Sequence, residues 1–273
     1  MSRARVESTV VTLVLAVIAL LFAAPLLWLV TAAFDAEAPL SASVPERFTL
    51  DNFAQVLNWE TSVRPLWNGL LLSGGAAVVS VLTAVLCAYP LSRYQLRFRR
   101  PFLYTVPFAT GLPITAVMVP VYSMFVRFGL VDSMAGTMLF LAATSLPIAI
   151  WMTKNFMDGV PLSLEEAAWV DGASPAQALR SVVLPLIAPG MGVVGIFTFI
   201  TAWGNFFVPF VLLLDPAKQP ASVGVYTFFG QGGLIAYGQL AAYSILYTAP
   251  VIALYLVVSR SLGGAFALTG AIK

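Results

Sequence analysis

The 273-residue chain contains no histidine and a single cysteine, Cys87. The missing imidazole removes the commonest metal ligand and the commonest proton shuttle near neutral pH. One cysteine cannot close an internal disulfide, and no grouping of Cys, Asp and Glu has the spacing of a metal centre. Cys87 lies inside an apolar run, where a thiol packs as a small hydrophobe. Charge is scarce as well. Asp, Glu, Lys and Arg make up 10% of the residues, and the formal net charge is +2. That balance leaves no electrostatic footprint for nucleic acid. No Gly-x-x-x-x-Gly-Lys-Ser/Thr loop is present, so the chain is not expected to cradle a nucleotide phosphate itself.

What is there is apolar: 60% hydrophobic residues and a mean hydropathy of +0.91. The apolar runs are long and continuous, unlike the short alternating strands of a membrane barrel. Six of them cover residues 10–34, 69–91, 102–125, 134–157, 190–214 and 239–262. Each is near the roughly 20 residues that a helix needs to cross a bilayer. The expected fold is an all-α polytopic membrane protein, with six transmembrane helices in one domain over residues 1–273. The first run follows a basic Met-Ser-Arg-Ala-Arg start but is too long for a signal peptide, so it reads as an uncleaved span. No span carries a charged residue near its centre, which argues against a proton- or sodium-coupled carrier and against a voltage sensor. Placing both termini in the cytoplasm puts ten of the 14 Lys and Arg residues on the inner side. It leaves Arg47, Arg64, Arg127 and Lys218 outside, the asymmetry that sets membrane topology.

In the second span, Ala76, Ser80, Ala84 and Ala88 recur every four residues, beside Gly69, Ser73 and Ala77. Small residues on one face let helix backbones approach closely in lipid. The row serves either internal packing or a contact with a second membrane subunit. Prolines 107, 113, 120, 147, 209 and 250 fall inside spans and favour kinks, which suit a solute path.

The inner segment 158–189 is the most informative stretch. Ser163 and Glu166 have the spacing of a capping box, so a helix is expected to begin after Ser163 and to stop at Asp171-Gly172. Ser174, Pro175 and Gln177 give a second start signal, for a short helix reaching Leu184-Pro185. Two short helices around a tight turn make a protrusion suited to docking in a groove of another protein, unless Glu166 only caps its helix.

These residues also resemble a known signature. Glu166-Ala167-Ala168, Asp171-Gly172-Ala173, Leu184-Pro185 and Pro189 match the EAA loop of ABC-importer permeases along its whole spacing. The similarity covers essentially the whole chain and is strongest to the carbohydrate, maltose-permease G-type branch. It implies a type I ABC-importer permease (MetI-like) fold and the role of a non-enzymatic permease subunit that imports a sugar. It further implies a homologous permease partner, a dimer of ATPases holding ATP and Mg, an extracytoplasmic solute-binding protein, and a bacterial or archaeal inner membrane. No cofactor is expected on this chain. In that family the loop is the coupling helix, which assigns Glu166, Ala167, Ala168, Asp171, Gly172 and Ala173 to the ATPase contact, with residues 268–273 as weaker candidates.

Trp203, Asn205, Phe206 and Phe207 are the candidates for the solute path, since aromatic faces pack on sugar rings and an amide bonds hydroxyls. Alternatively Asn205 bonds a neighbouring helix and the aromatics fill space. Trp203-Gly204-Asn205 departs from the family's usual Trp-Asn pair. By position, Phe229, Gly230, Gln231 and Gly232 fall where the family meets its binding protein. Rival readings are a related importer for a polyol phosphate or amino-acid-like solute, a self-contained channel or carrier, and a membrane hydrolase built on Ser145 or Ser80. The last lacks any base at depth.

Overall fold

The computed structural model describes residues 3–39, 41, 45, 47–229 and 236–270. In chain order the helices are α1 (Arg3–Ala33), α2 (Asp51–Val56), α3 (Arg64–Arg93), α4 (Arg99–Thr110), α5 (Ile114–Arg127) and α6 (Met134–Asp158). They continue as α7 (Leu162–Val170), α8 (Pro175–Ala178), α9 (Leu184–Trp203), α10 (Phe207–Leu212), α11 (Ala221–Gly224) and α12 (Tyr237–Gly270). Among the described residues the one β contact is an isolated bridge between Asp35 and Phe48.

Among the described residues, five stretches are long and apolar enough to cross a membrane: Val10–Ala33, Trp59–Arg93, Met134–Asp158, Pro175–Trp203 and Tyr237–Val258. The chain is thus a multi-pass membrane protein. The third expected span, residues 102–125, is not one helix. It is broken between α4 and α5 at Gly111-Leu112-Pro113, where Pro113 takes extended angles (φ −60°, ψ 124°). Proline's ring disfavours helical geometry in the residue before it, so the two halves meet at an angle of the backbone's own making. The fifth span also differs. The run expected over 190–214 is helical from Pro175 to Trp203, stops at Gly204-Asn205 and resumes as the short α10. The second short helix of the inner loop is therefore continuous with the membrane helix, through a wide π turn at Leu179–Val183.

Two compact units make up the chain. One comprises residues 1–64 and 224–249. Its core joins Ala32 and Ala33 of α1 to Ala241 and Ala242 of α12, with Phe34 and Phe53 alongside. Asn52 ties the end of α1 down by donating to the carbonyls of Ala33 (3.2 Å) and Asp35 (2.7 Å). Leu20, Leu21 and Phe22 of α1 are 68–71% exposed, a surface suited to lipid.

The other unit comprises residues 65–223 and 250–273. Here α3 turns Ala76, Ser80, Ala84 and Ala88 inward, each fully buried, and Val78, Leu82 and Leu86 outward. The small-residue row therefore serves internal packing, and Ser80 Oγ donates to Ala142 O of α6 at 3.1 Å. Leu72, Met118, Phe125, Leu141, Val208 and Leu212 form the main core among α3, α5, α6 and α10. A second cluster, with Val85, Tyr89, Met157, Val183 and Ile187, joins the far end of α3 to α6 and α9. Helices α6 and α9 pack tightly at Gly190, where a Cβ would lie 2.4 Å from the Phe156 ring.

Candidate functional site

The loop after α6 folds into a rigid elbow. Val160 N bonds back to Met157 O at 3.0 Å, and Pro161 (φ −56°) fixes the entry angle of α7. Leu164 N already donates to Pro161 O at 3.2 Å. Ser163 therefore lies inside the first turn and makes no cap bond, so the capping box expected from Ser163 and Glu166 does not form. Proline set the helix start earlier than the serine signal, because its fixed φ suits the entry to a helix.

The stop signal behaves as expected. Gly172 takes φ +89°, its N–H reaches Trp169 O at 3.0 Å, and Ala173 N–H reaches Ala168 O at 2.9 Å. This is the paired bonding of a Schellman end, which needs a residue that tolerates positive φ. The second capping box is complete: Ser174 Oγ accepts from Gln177 N (3.3 Å), and Ser174 N donates to Gln177 Oε1 (2.7 Å). Glu166, Ala167, Asp171 and Gly172 are exposed, while Ala168 and Ala173 are half-buried. Ala168, Asp171, Gly172 and Ala173 share one small surface, while Glu166 and Ala167 are exposed on α7 outside it. A notch of about 340 Å³ opens in it, lined by Ala168, Asp171, Gly172, Gln177 and Ser181.

Beside Glu166 in the chain stands Glu165, a residue to which the loop motif gives no role. It is fully buried. Its carboxylate pairs with Arg93 Nε and accepts from Tyr89 Oη at 2.9 Å, both on α3. Arg93 Nη2 also donates to Val160 O at 3.1 Å. The sequence signal for this was the pair Tyr89 and Arg93, four residues apart and so on one helix face, at the end of a span.

A separate groove of about 460 Å³ lies between α5, α6 and α9, lined by Ile114, Phe140, Thr144, Ser145, Thr201 and Asn205 among others. Of the four solute-path candidates, Asn205 lines it. Its Oδ1 accepts from Val208 N at 3.0 Å, capping α10. Trp203 is buried and stacks on Phe199 (5.6 Å between centroids), close against Gly69. Phe206 stacks on Phe210 at 4.9 Å, and Phe207 packs against the main core. The groove hydroxyls of Thr144, Ser145 and Thr201 were not candidates for the path. Scattered Ser and Thr in apolar helices carry no spacing signal, because the helix breaks that bring them together are tertiary. Phe229 ends a 3₁₀ turn, Val225–Phe229, while Gly230, Gln231 and Gly232 lie outside the described residues. Of the tail candidates, residues 268–270 continue α12 and 271–273 lie outside the described residues.

Comparison with known proteins bears on this geometry. The family model described as "Binding-protein-dependent transport system inner membrane component" matches residues 80–263. The chain is 34% identical to the ABC transporter permease protein ORF1 of Streptomyces antibioticus, over 84% of this chain and 100% of that one. It is 28% identical to the diacetylchitobiose uptake system permease protein NgcG of Streptomyces coelicolor, over 88% of this chain and 81% of that one. Among solved structures, a bacterial ABC transporter involved in import of the acidic polysaccharide alginate superposes with a TM-score of 0.82 at 23% identity. The match covers 95% of this chain and 98% of that one. The fold is thus that of an ABC-importer permease.

Proposed function

We propose, on the premise that this chain belongs to the binding-protein-dependent transport system inner membrane component family, that it is the membrane-spanning permease subunit of an ATP-driven importer for a sugar. The observation that carries the reading is the elbow. It is a folded protrusion that exposes Glu166, Ala167, Asp171 and Gly172 while Glu165 anchors it. A surface already held in shape loses little freedom on docking. Glu166 and Asp171 offer carboxylates to a basic rim on an ATPase, and Ala167 and Ala168 allow close approach. ATP and Mg are held by that ATPase pair, and this chain binds no cofactor. The elbow and both termini face the cytoplasm, the side that gathers most of the lysines and arginines. A homologous permease completes the pore, and an extracytoplasmic binding protein delivers the solute to the outer loop near residues 229–232. The setting is a bacterial or archaeal inner membrane.

The groove is the solute path on this subunit. Its hydroxyls donate to their own helix carbonyls: Thr144 and Ser145 to Leu141 O (2.9 and 3.1 Å) and Thr201 to Phe197 O (2.8 Å). Each hydroxyl oxygen keeps a lone pair for an incoming donor. Asn205 keeps its amide hydrogens, since its oxygen is engaged by Val208. With Phe140 beside them and no charged lining residue, these groups suit a neutral polyhydroxy solute. The uptake of diacetylchitobiose by the system of the Streptomyces coelicolor relative supports a saccharide cargo. In the transport cycle, closure of the ATPases on ATP pushes the elbow. The elbow runs without a break into α9 and joins α6 through residues 159–161, so two of the three groove walls move with it. Hydrolysis returns them.

Affinity purification of the tagged chain from native membranes tests this. A second permease and an ATPase should accompany the wild type, and the ATPase should be lost on Glu166→Lys. A chain that purifies alone and transports solute without ATP ends the reading.

A further inference from the structure

Chain continuity carries elbow movement to α6 and α9, but α3 is 67 to 86 residues away from the elbow in sequence at its points of contact. The side chain that bridges this gap is Glu165, the one residue of α7 that is buried. Arg93 and Tyr89 grip its two oxygens separately, Arg93 Nε on Oε1 and Tyr89 Oη on Oε2. Tyr89 Oη also lies 3.4 Å from Pro175 O, at the start of α8, and Arg93 Nη2 holds Val160 O ahead of α7. The first limb of the elbow is therefore bound to the last turn of α3, and the second limb lies against it at Pro175. The grip reaches α6 too: Ser92 Oγ donates to Asp158 Oδ1 at 2.6 Å, and Lys154 pairs with the other oxygen of Asp158.

The kind of contact matters. Apolar side chains slide past one another at little cost, whereas a carboxylate held by a guanidinium N–H on one oxygen and a phenol on the other is directional and costly to break once shielded from water. Side-chain exposure at the pair is 7% for Arg93 and 0% for Glu165. Buried apolar surface between α3 and the start of α9 would fix their distance. It would not fix which turn of α3 follows which turn of the elbow.

We infer that Glu165, clamped by Arg93 and Tyr89, is a positioning residue that transmits movement of the elbow to α3. Nothing in the family match or the relatives assigns Glu165 this part. The inference rests on the reading of the elbow as the ATPase dock. Glu166 and Asp171 face the ATPase, and Glu165 faces the permease's own body. Removing Glu165's charge leaves the docking face intact but loosens α3 from the elbow, with Ser92 on Asp158 and apolar packing as its remaining ties, so ATP-driven closure shifts α6 and α9 relative to α3.

The test uses the purified complex of permeases and ATPases in lipid nanodiscs, with Cys87→Ser as background. Spin labels are placed at Leu86 on α3 and Trp151 on α6, both exposed on the surface of the chain. The distance between them is measured without nucleotide and with ATP plus vanadate. In the otherwise wild-type chain the distance is expected to be preserved as both helices move together, while either label changes its distance to an ATPase label. In Glu165→Gln and Arg93→Gln the ATPase should be retained at wild-type stoichiometry. The Leu86-to-Trp151 distance should then change on nucleotide binding, and the exchanged pair Arg93→Glu/Glu165→Arg should restore the wild-type pattern. Three results overturn the inference: single variants that behave as wild type, single variants that lose the ATPase altogether, or no recovery on charge exchange. Loss of the dock itself is read separately, since a Glu166→Lys chain that keeps its ATPase refutes the docking reading whatever Glu165 does.

Discussion

Replacing Gly172 by alanine isolates one contribution to the shape of the elbow. Gly172 has φ +89°, and a Cβ placed on it meets no atom within 4 Å. Steric conflict with the rest of the molecule is absent, so the cost is that of the backbone conformation alone, about 1–2 kcal/mol for a residue with a side chain. The two bonds that close α7, from Gly172 N to Trp169 O and from Ala173 N to Ala168 O, depend on that conformation. Alanine should therefore raise the open population of the turn about 5- to 30-fold. Amide exchange in residues 171–174 should accelerate by the same factor where opening is a fast pre-equilibrium. Asparagine visits positive φ more readily, so it should fall between glycine and alanine. Proline should be worst, since it forbids the angle and removes the N–H. Hydrogen exchange read by mass spectrometry on the protein in nanodiscs, over a peptide covering residues 165–175, gives the number. Equal exchange for glycine and alanine would refute the reasoning, because the turn would then not be held at positive φ. Retention of the ATPase should follow the order glycine, asparagine, alanine, proline.

Other substitutions probe separate joints. Gly190→Ala places a Cβ 2.4–2.7 Å from the Phe156 ring, nearest to Cγ, which ring rotation barely moves. The α6–α9 contact must open at a cost of about 1–3 kcal/mol, seen as a lower melting temperature, and Phe156→Ala in the same chain should recover most of it. Ser174→Ala removes the cap on α8 and should cost about 1 kcal/mol, read as faster exchange at the Gln177 amide. Thr201→Val keeps the shape of the groove wall but deletes an acceptor. It should weaken solute transport several-fold, about the worth of one hydrogen bond, with ATPase retention unchanged.

The multi-span helical character was legible because the length of an apolar run records bilayer thickness directly. The break at Gly111-Leu112-Pro113 was not, since apolar composition runs straight across it and membrane helices often keep a proline, as α5 keeps Pro120 and α6 keeps Pro147. At the elbow, the second capping box was legible because Ser174, Pro175 and Gln177 all point to the same start. The first was misread because Pro161, two residues before Ser163, competes for that role and wins. The two glutamates show the limit most sharply. Positions 165 and 166 lie about 100° apart on a helix, so a face that buries one carboxylate leaves the other free to face out. Which one is buried is decided by Arg93 and Tyr89, and no local pattern around residue 165 names them.

That division follows from how a membrane protein is held together. Water drives no apolar burial between helices in lipid, so α3 keeps its small residues inside and its bulky Val78, Leu82 and Leu86 outside. Close packing of Ala76, Ser80, Ala84 and Ala88 lets backbones touch but leaves few features to lock one helix turn against another. Register must then come from directional contacts. Within the helices there is Ser80 on Ala142 O; in the loop after α10, Asn68 donates to Ala217 O at 2.9 Å and Gln219 O at 3.2 Å. At the opposite end of α3 the directional contacts are Tyr89, Ser92 and Arg93 on Glu165, Val160 and Asp158. The smooth middle permits movement, and the polar ends decide which helices share it. Under the proposed coupling, a push on the elbow enters α3 through the pair that Glu165 and Arg93 bury at that end.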